Sequence, residues 1–281
     1  MIRTVPIHLQ GTAGYREGPI QRQRAESPGP LNADVTPGAK LHMTDEPATT
    51  ATTLPAMLGS VFPQSRPLTR TAMAMAASVR TYRPGEAILN QGDESSLALV
   101  LDGHAALRRT TPDGRQLIVR IVDRGGLASV LPLAARPAAA DAVALTQTPV
   151  AMWRGEEIRS LAEADAGLAM ELLDLVLLAF EEMAGRLEGL LYQDAPRRVA
   201  RILHRHAHLF FREAPVLTRR HLPMLVGTSR EMTGRVLRVL ESRGLVAREG
   251  RHGLRLLDPA GLATAAESRE ERRRTSAPAD R

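Results

Sequence analysis

At 281 residues the chain has room for two ordinary domains, which run to about 200 residues each, plus tails. The lack of cysteine excludes disulfides, thiolate zinc sites, cysteine-ligated iron–sulfur clusters and a cysteine nucleophile, and it fits a cytoplasmic location. The net charge of +6 is unevenly spread: residues 194–281 hold 19 arginines against 10 acids, whereas residues 1–193 hold 18 basic against 21 acidic side chains.

A C-terminal surplus of this kind is what a polyanion-binding module needs, because each neutralised phosphate releases counterions. Lys40 is the only lysine, so a general enrichment in arginine explains the surplus equally well. No apolar run reaches the roughly 18 residues of a membrane span, and the first 30 residues lack the basic-then-apolar order of an export signal, so no membrane partner is expected.

Residues 1–67 are rich in Pro, Thr, Gly, Ala and Ser without a sustained period, and are expected to form a disordered leader, with Met43 as an alternative start. Residues 68–157 read as a β-roll. Strand-like runs such as Leu97–Leu101 and Leu117–Val122 alternate with turn signals at Pro84-Gly85, Gly92-Asp93, Asp102-Gly103, Asp113-Gly114 and Gly125-Gly126. Residues 158–193 read as one long helix. Leu172, Val176, Ala179, Met183, Leu187 and Leu190 recur on it at a/d-like spacing, and Leu173, Leu175, Leu177, Leu178 and Phe180 add a second apolar face. Such a helix needs cover on two sides, from its own roll and from a second copy about a twofold axis; a central helix of a monomeric bundle is the alternative.

Residues 194–266 hold the most informative pattern, and residues 267–281 a charged tail expected to be disordered. After a helix from Arg197 to about Phe211, Thr218 is placed as N-cap of a short helix ending at Val226. Gly227 supplies a tight turn, and Ser229 caps a second helix from Arg230 to about Arg243. Two short helices joined through a glycine turn are the helix-turn-helix signature. Met232, Val236, Val239 and Leu240 are assigned to the core side of the second helix. That leaves Arg230, Glu231, Gly234, Arg235 and Arg238 outward, near the end that such a helix presents to base edges.

Arginine can donate two hydrogen bonds to guanine, and glutamate can accept from cytosine, so Arg230, Glu231 and Arg235 are the candidate base readers. A solvated face with an i,i+4 Glu231–Arg235 pair is the plain alternative. Thr218, Thr228, Ser229, Arg238, Arg248 and Arg251 are candidates for phosphate contact. Arg248, Arg251 and Arg255 lie on an expected hairpin wing over 244–257. Pro223 inside the first helix of the motif is a local conflict, since proline in a helix interior costs about 3 kcal/mol.

The run Thr228-Ser229-Arg230-Glu231-Met232-Thr233-Gly234-Arg235-Val236-Leu237 resembles the recognition helix of the cyclic AMP receptor/fumarate-nitrate reduction regulator (Crp/Fnr) superfamily. Tyr82-Arg83-Pro84-Gly85-Glu86, Gln91-Gly92-Asp93, Asp113-Gly114-Arg115 and Asp194-Ala195-Pro196-Arg197-Arg198 extend the likeness over roughly 58–258. The resemblance implies an α+β protein: a β-roll of double-stranded β-helix or jelly-roll type, a long dimerisation helix and a C-terminal winged helix-turn-helix. It also implies a homodimer on double-stranded DNA with an inverted repeat, and contact with RNA polymerase.

The family's effector cassette is degenerate here. Ser129 stands where the ribose-binding glutamate would be, Ala138 and Ala139 where the phosphate-binding arginine and the serine would be, and Met183 and Ala184 at the purine-contacting hydroxyls. A buried cyclic phosphate without a guanidinium is an uncompensated charge, so cyclic AMP is not expected to bind, and no cofactor is predicted. His104 stands alone, and His204, His206 and His208 read as a solvated surface, so no metal is expected. No phosphate loop, dinucleotide glycine pattern or nucleophile elbow argues for an enzyme. A module of the same fold that has lost DNA binding is the rival reading.

Overall fold

The computed structural model describes residues 48–94, 96–129 and 136–267, with side chains from Leu54 onward. The expectations for the leader before residue 48, Met43 included, and for the tail beyond residue 267 lie outside the described residues.

Two four-stranded antiparallel sheets form the roll. One has the order β1 (Ser78–Tyr82), β8 (Thr148–Arg154), β3 (Ser96–Val100), β6 (Leu127–Ser129); the other β2 (Ala87–Leu89), β7 (Asp141–Ala144), β4 (Ala105–Thr110), β5 (Gln116–Val122). Between them lies a core of small and branched side chains, including Ala98, Val100, Ala105, Val122, Ala142, Ala144 and Val150. Alternation then sends Leu97, Leu99 and Leu101 to the opposite side of β3, where they meet Trp153 and a layer of helices, so this strand is buried on both faces. At Gly103 a side chain is impossible on two counts: φ is +75°, and a Cβ would stand 2.5 Å from Thr146 Oγ1 and 2.6 Å from the Gln147 carbonyl oxygen.

Residues 48–67, expected within a disordered leader, are instead largely helical: α1 spans Ala48–Val61 and α2 begins at Pro67 and ends at Ala76. Leu54, Met57, Leu58, Val61 and Phe62 recur at i, i+3, i+4, i+7 and i+8, a helical stripe that the composition of the segment masks. The stripe packs on Leu97, Leu99 and Trp153, and each fully buried large side chain contributes roughly 1.5–3 kcal/mol, enough to offset ordering.

The single helix expected over 158–193 is two. α3 (Gly155–Ala164) stops at Asp165, whose extended backbone (φ −134°, ψ 100°) starts α4 (Ala166–Tyr192). The Asp165 carboxylate accepts from the Gly167 amide at 3.0 Å and from the Arg66 amide at 2.8 Å, fastening the connector between α1 and α2 to the start of α4. Hydrogen bonds, first from Thr69 and then from Arg66, hold its carboxyl below the usual carboxylate range.

The C-terminal unit comprises α5 (Ala195–Arg205), α6 (Ala207–Phe210), α7 (Leu222–Val226), α8 (Arg230–Ser242), the hairpin β9 (Val246–Glu249) and β10 (Gly253–Leu256), and α9 (Pro259–Ala266). Its core of Val199, Leu203, Leu222, Leu225, Val236, Leu237, Leu240 and Leu254 is continuous with Ala106, Ile118 and Ile121 of the roll. A bulge permits that continuity. Arg120 pairs with Leu107 while Ile118 pairs with Arg108, which leaves Val119 as an extra residue and brings Ile118 and Ile121, three apart, to the same face. Among the described residues no helix is long and apolar enough to cross a membrane.

Candidate nucleic-acid interface

The two short helices meet at Gly227, whose φ of +70° ends α7; the Gly227 amide returns to the Pro223 carbonyl at 3.0 Å. Pro223 is accommodated because α7 starts only at Leu222. This places the proline in the first turn, where amides have no intrahelical acceptor and a missing N–H costs nothing. Thr218 is therefore not the cap assigned to it. Its backbone amide donates to His221 Nδ1 at 2.9 Å, and burial, followed by Arg220, keeps the His221 ring below its ordinary pKa and so able to accept.

Ser229 does cap α8: its Oγ accepts from the Met232 amide at 3.0 Å, and its carbonyl accepts the Thr233 hydroxyl at 2.9 Å. The buried side of α8 is Thr233, Val236, Leu237 and Leu240. Met232 and Val239, assigned to the core from spacing alone, are 38% and 48% exposed, because the phase of the helix is set by Leu237 and by the hydroxyl of Thr233 folding back on the backbone. The correction turns Glu231, Arg235 and Arg238 to the middle of the outward face and leaves Arg230 and Gly234 along one edge. A Cβ at Gly234 would meet nothing within 4 Å, so nothing inside the chain requires glycine there. Glu231 and Arg235 pair with each other across one turn, both well exposed.

The wing forms as expected, with Arg251 exposed at its tip and Arg255 exposed on β10. Arg248, a candidate phosphate contact, is engaged with Glu241 of α8 at 2.8 Å. Thr228 is half-buried in the turn. The sequence reading missed Arg219 and Arg220. The Arg219 guanidinium donates to the Arg251 carbonyl at 2.5 Å and its amide to the His252 carbonyl at 3.1 Å, tying the wing tip to the approach to α7. Desolvation, then Arg220, Arg251 and Arg219 in turn, lower the pKa of His252, the electrostatic signature of a basic cluster at this tip. The doubled arginine after Thr218 was the available signal.

Of the apolar seam on α4, Leu172 is fully buried in its own roll-side core and is lost to any partner. Val176, Met183, Leu187 and Leu190 are exposed and Ala179 half-buried, but the row at the centre of the outward face is rotated from this seam and shares only Leu187 with it. Leu173, Leu177, Phe180, Ala184, Leu187 and Leu191 follow a 4-3-4-3-4 repeat, with Phe180 70% and Leu191 65% exposed.

The effector-cassette positions are spread over the roll. Ser129 ends β6, Ala138 is buried with its backbone bonded to Gly92 and Asp93, and Ala139 is exposed. The segment 130–135 between them lies outside the described residues. His104 Nδ1 lies 2.9 Å from Asp123 Oδ1. Of the three histidines read as a solvated surface, His204 and His208 are exposed and His206, at the junction of α5 and α6, is half-buried.

Residues 79–165 match the family described as cyclic nucleotide-binding domain, and residues 197–265 match the Crp-like helix-turn-helix domain. Among solved structures, a CRP/FNR-family transcriptional regulator of Thermus thermophilus is 25% identical with a TM-score of 0.59, covering 68% of this chain and all of that one. A putative crp/fnr-family regulator of Eubacterium rectale has a TM-score of 0.63 at 18% identity, covering 72% of this chain and 94% of that one. FixK2 of Bradyrhizobium japonicum has a TM-score of 0.58 at 19% identity, covering 68% and 98%. No curated protein matches the chain.

Proposed function

Because the chain belongs to the Crp/Fnr superfamily of transcription regulators, with a helix-turn-helix DNA-binding domain, we propose that it acts as a homodimer that reads an inverted repeat in the cytoplasm without gating by cyclic AMP. The observation that carries this reading is the outward face of α8: Glu231, Arg235 and Arg238 at its middle, with Arg230 and the bare Gly234 along one edge, on a helix whose other face is locked in the core. The Glu231–Arg235 pair holds both side chains extended at the surface, and an exposed pair of this kind is worth under about 1 kcal/mol, so base edges can replace it. An acid beside arginines would be repelled by phosphate and favours a role at a base edge. Ser229, Arg238 and the wing-tip arginines then supply phosphate contacts that fix the register.

Dimerisation is assigned to the row Leu173, Leu177, Phe180, Ala184, Leu187 and Leu191, a contiguous exposed apolar stripe of the kind that marks an interaction surface. Two copies of α8 related by that axis would meet half-sites about one helical turn apart. Ala138 offers no guanidinium to a cyclic phosphate, which supports the exclusion of cyclic AMP. Contact with RNA polymerase follows from the family reading.

Selection of bound sequences from a randomised duplex library tests the proposal. The wild type should return a two-half-site motif, and Glu231→Ala should relax one position in each half by about 1–3 kcal/mol. Indifference to every duplex, even at low salt where phosphate contacts are strongest, would reject it.

A further inference from the structure

A cavity of about 370 Å³ lies where the roll, the end of α4, the start of the C-terminal unit and α7 converge. The bulge on β5 builds one wall. Val119 drops out of the strand pairing, and its carbonyl accepts instead from the Arg186 guanidinium at 3.1 Å, while the other arm of Arg186 donates to the Leu225 carbonyl of α7 at 2.7 Å. One side chain of α4 thus bridges the sensor roll and the first helix of the DNA-reading motif from the cavity wall.

Charge in this cavity does not balance. Glu182 is shared by Arg120 at 3.2 Å and Arg205 at 2.8 Å, and Arg186 is spent on carbonyls; Glu181 also lines the space but is exposed. Arg198 and Arg201 have no acidic partner among the described residues. Arg198 uses one terminal nitrogen on the Gln193 carbonyl at 2.6 Å, while its Nε and the Gln193 Oε1 are buried without a protein partner. Leaving such groups unmatched is costly, the more so for a charged one. The apolar Ile202, Leu225 and Val226 line the same cavity, Ile202 one turn along α5 from Arg198. A pocket with a guanidinium end, an apolar side and a place at a domain junction has the form of a ligand site.

We propose that this junction is an effector site for a small organic anion, its phosphate or carboxylate held by Arg198 and Arg201 and its apolar body laid against Ile202, Leu225 and Val226. The site is separate from the degenerate cassette in the roll, since it uses the outer face of β5. An occupant touching α7 stabilises one placement of the helix-turn-helix over others in proportion to its preference for that placement. The inference of regulation rests on the DNA-binding reading; occupancy of the cavity does not.

The test uses the full chain without DNA and 8-anilinonaphthalene-1-sulfonate, an apolar organic anion, as probe. Calorimetry should give one site per chain, weakened by about tenfold or more in the Arg198→Gln, Arg201→Gln double variant and by a smaller factor in Arg201→Gln alone. The single variant changes an exposed side chain and keeps the test readable if the double variant fails to fold. Arg212→Gln, which does not line the cavity, should leave binding unchanged. Hydrogen exchange of the α7 amides should slow on saturation. No binding, equal binding by the variants, or binding that leaves α7 exchange unchanged would each overturn the proposal. None of these readouts involves a duplex, so a failure here is distinct from a failure of the DNA-binding reading.

Discussion

α4 and α8 both bury one face against their own chain and show the other to solvent, yet the faces they show are opposite in chemistry. α8 presents Glu231, Arg235 and Arg238; α4 presents Leu173, Leu177, Phe180, Leu187 and Leu191. A charged face costs nothing in water and can wait for a polyanion, whereas an apolar face of that length calls for a permanent cover. On the proposed reading, α8 meets a reversible partner and α4 a permanent one.

Placing a charge in the outward row of α4 should have the largest effect. In Phe180→Asp each subunit would bury an unpaired carboxylate at a cost of several kcal/mol, so sedimentation should show monomers at micromolar concentration and duplex affinity should fall by about 100-fold or more. A persistent dimer would move the interface elsewhere. About two turns earlier, a buried position separates the two faces of the same helix: Leu172→Ala empties a site in the chain's own core and should cost about 2–5 kcal/mol in denaturant unfolding, with the proposed dimer interface untouched.

On α8 the expected changes are smaller, and at Gly234 they have opposite signs for fold and function. Gly234→Ala should stabilise the helix by up to about 1 kcal/mol, since nothing within 4 Å obstructs a methyl, while weakening duplex binding if the groove wall approaches there. A thermal melt and a gel shift on the same sample read both. Unchanged duplex affinity would remove Gly234 from the interface.

A pH dependence is seated at His206, at the junction of α5 and α6. Burial, then Arg205, lowers the His206 pKa from 6.5 to about 4. The folded state therefore binds fewer protons than the unfolded state between those values. The contribution is fully present above pH 6.5 and is lost as pH falls towards 4. Melting temperatures of the wild type should drop more steeply than those of His206→Gln across that window, and parallel curves would show that His206 is not buried neutral.

Much of this was legible in the sequence because it depends on neighbours in the chain. The turn glycines of the roll, the Ser229 cap, the Gly227 turn and the outward placement of Glu231, Arg235 and Arg238 follow from local backbone chemistry and helical period. Where reading failed, the deciding contact was distant. The stripe on α1 has a helical period of its own, but Trp153 and Leu97, far along the chain, make it worth ordering. Asp165 splits the long helix because its carboxylate reaches Arg66.

Phase was the other loss. The leucines of a stretch such as 172–178 do not say which of them face home; the core takes Leu172 and part of Leu175 and leaves Leu173, Leu177 and Leu178 outward. Periodicity and turn chemistry are set by covalent geometry and are written residue by residue. Which apolar face is already covered, and where a bulge such as that at Val119 opens a cavity between units, is decided by surfaces that meet only once the chain has folded.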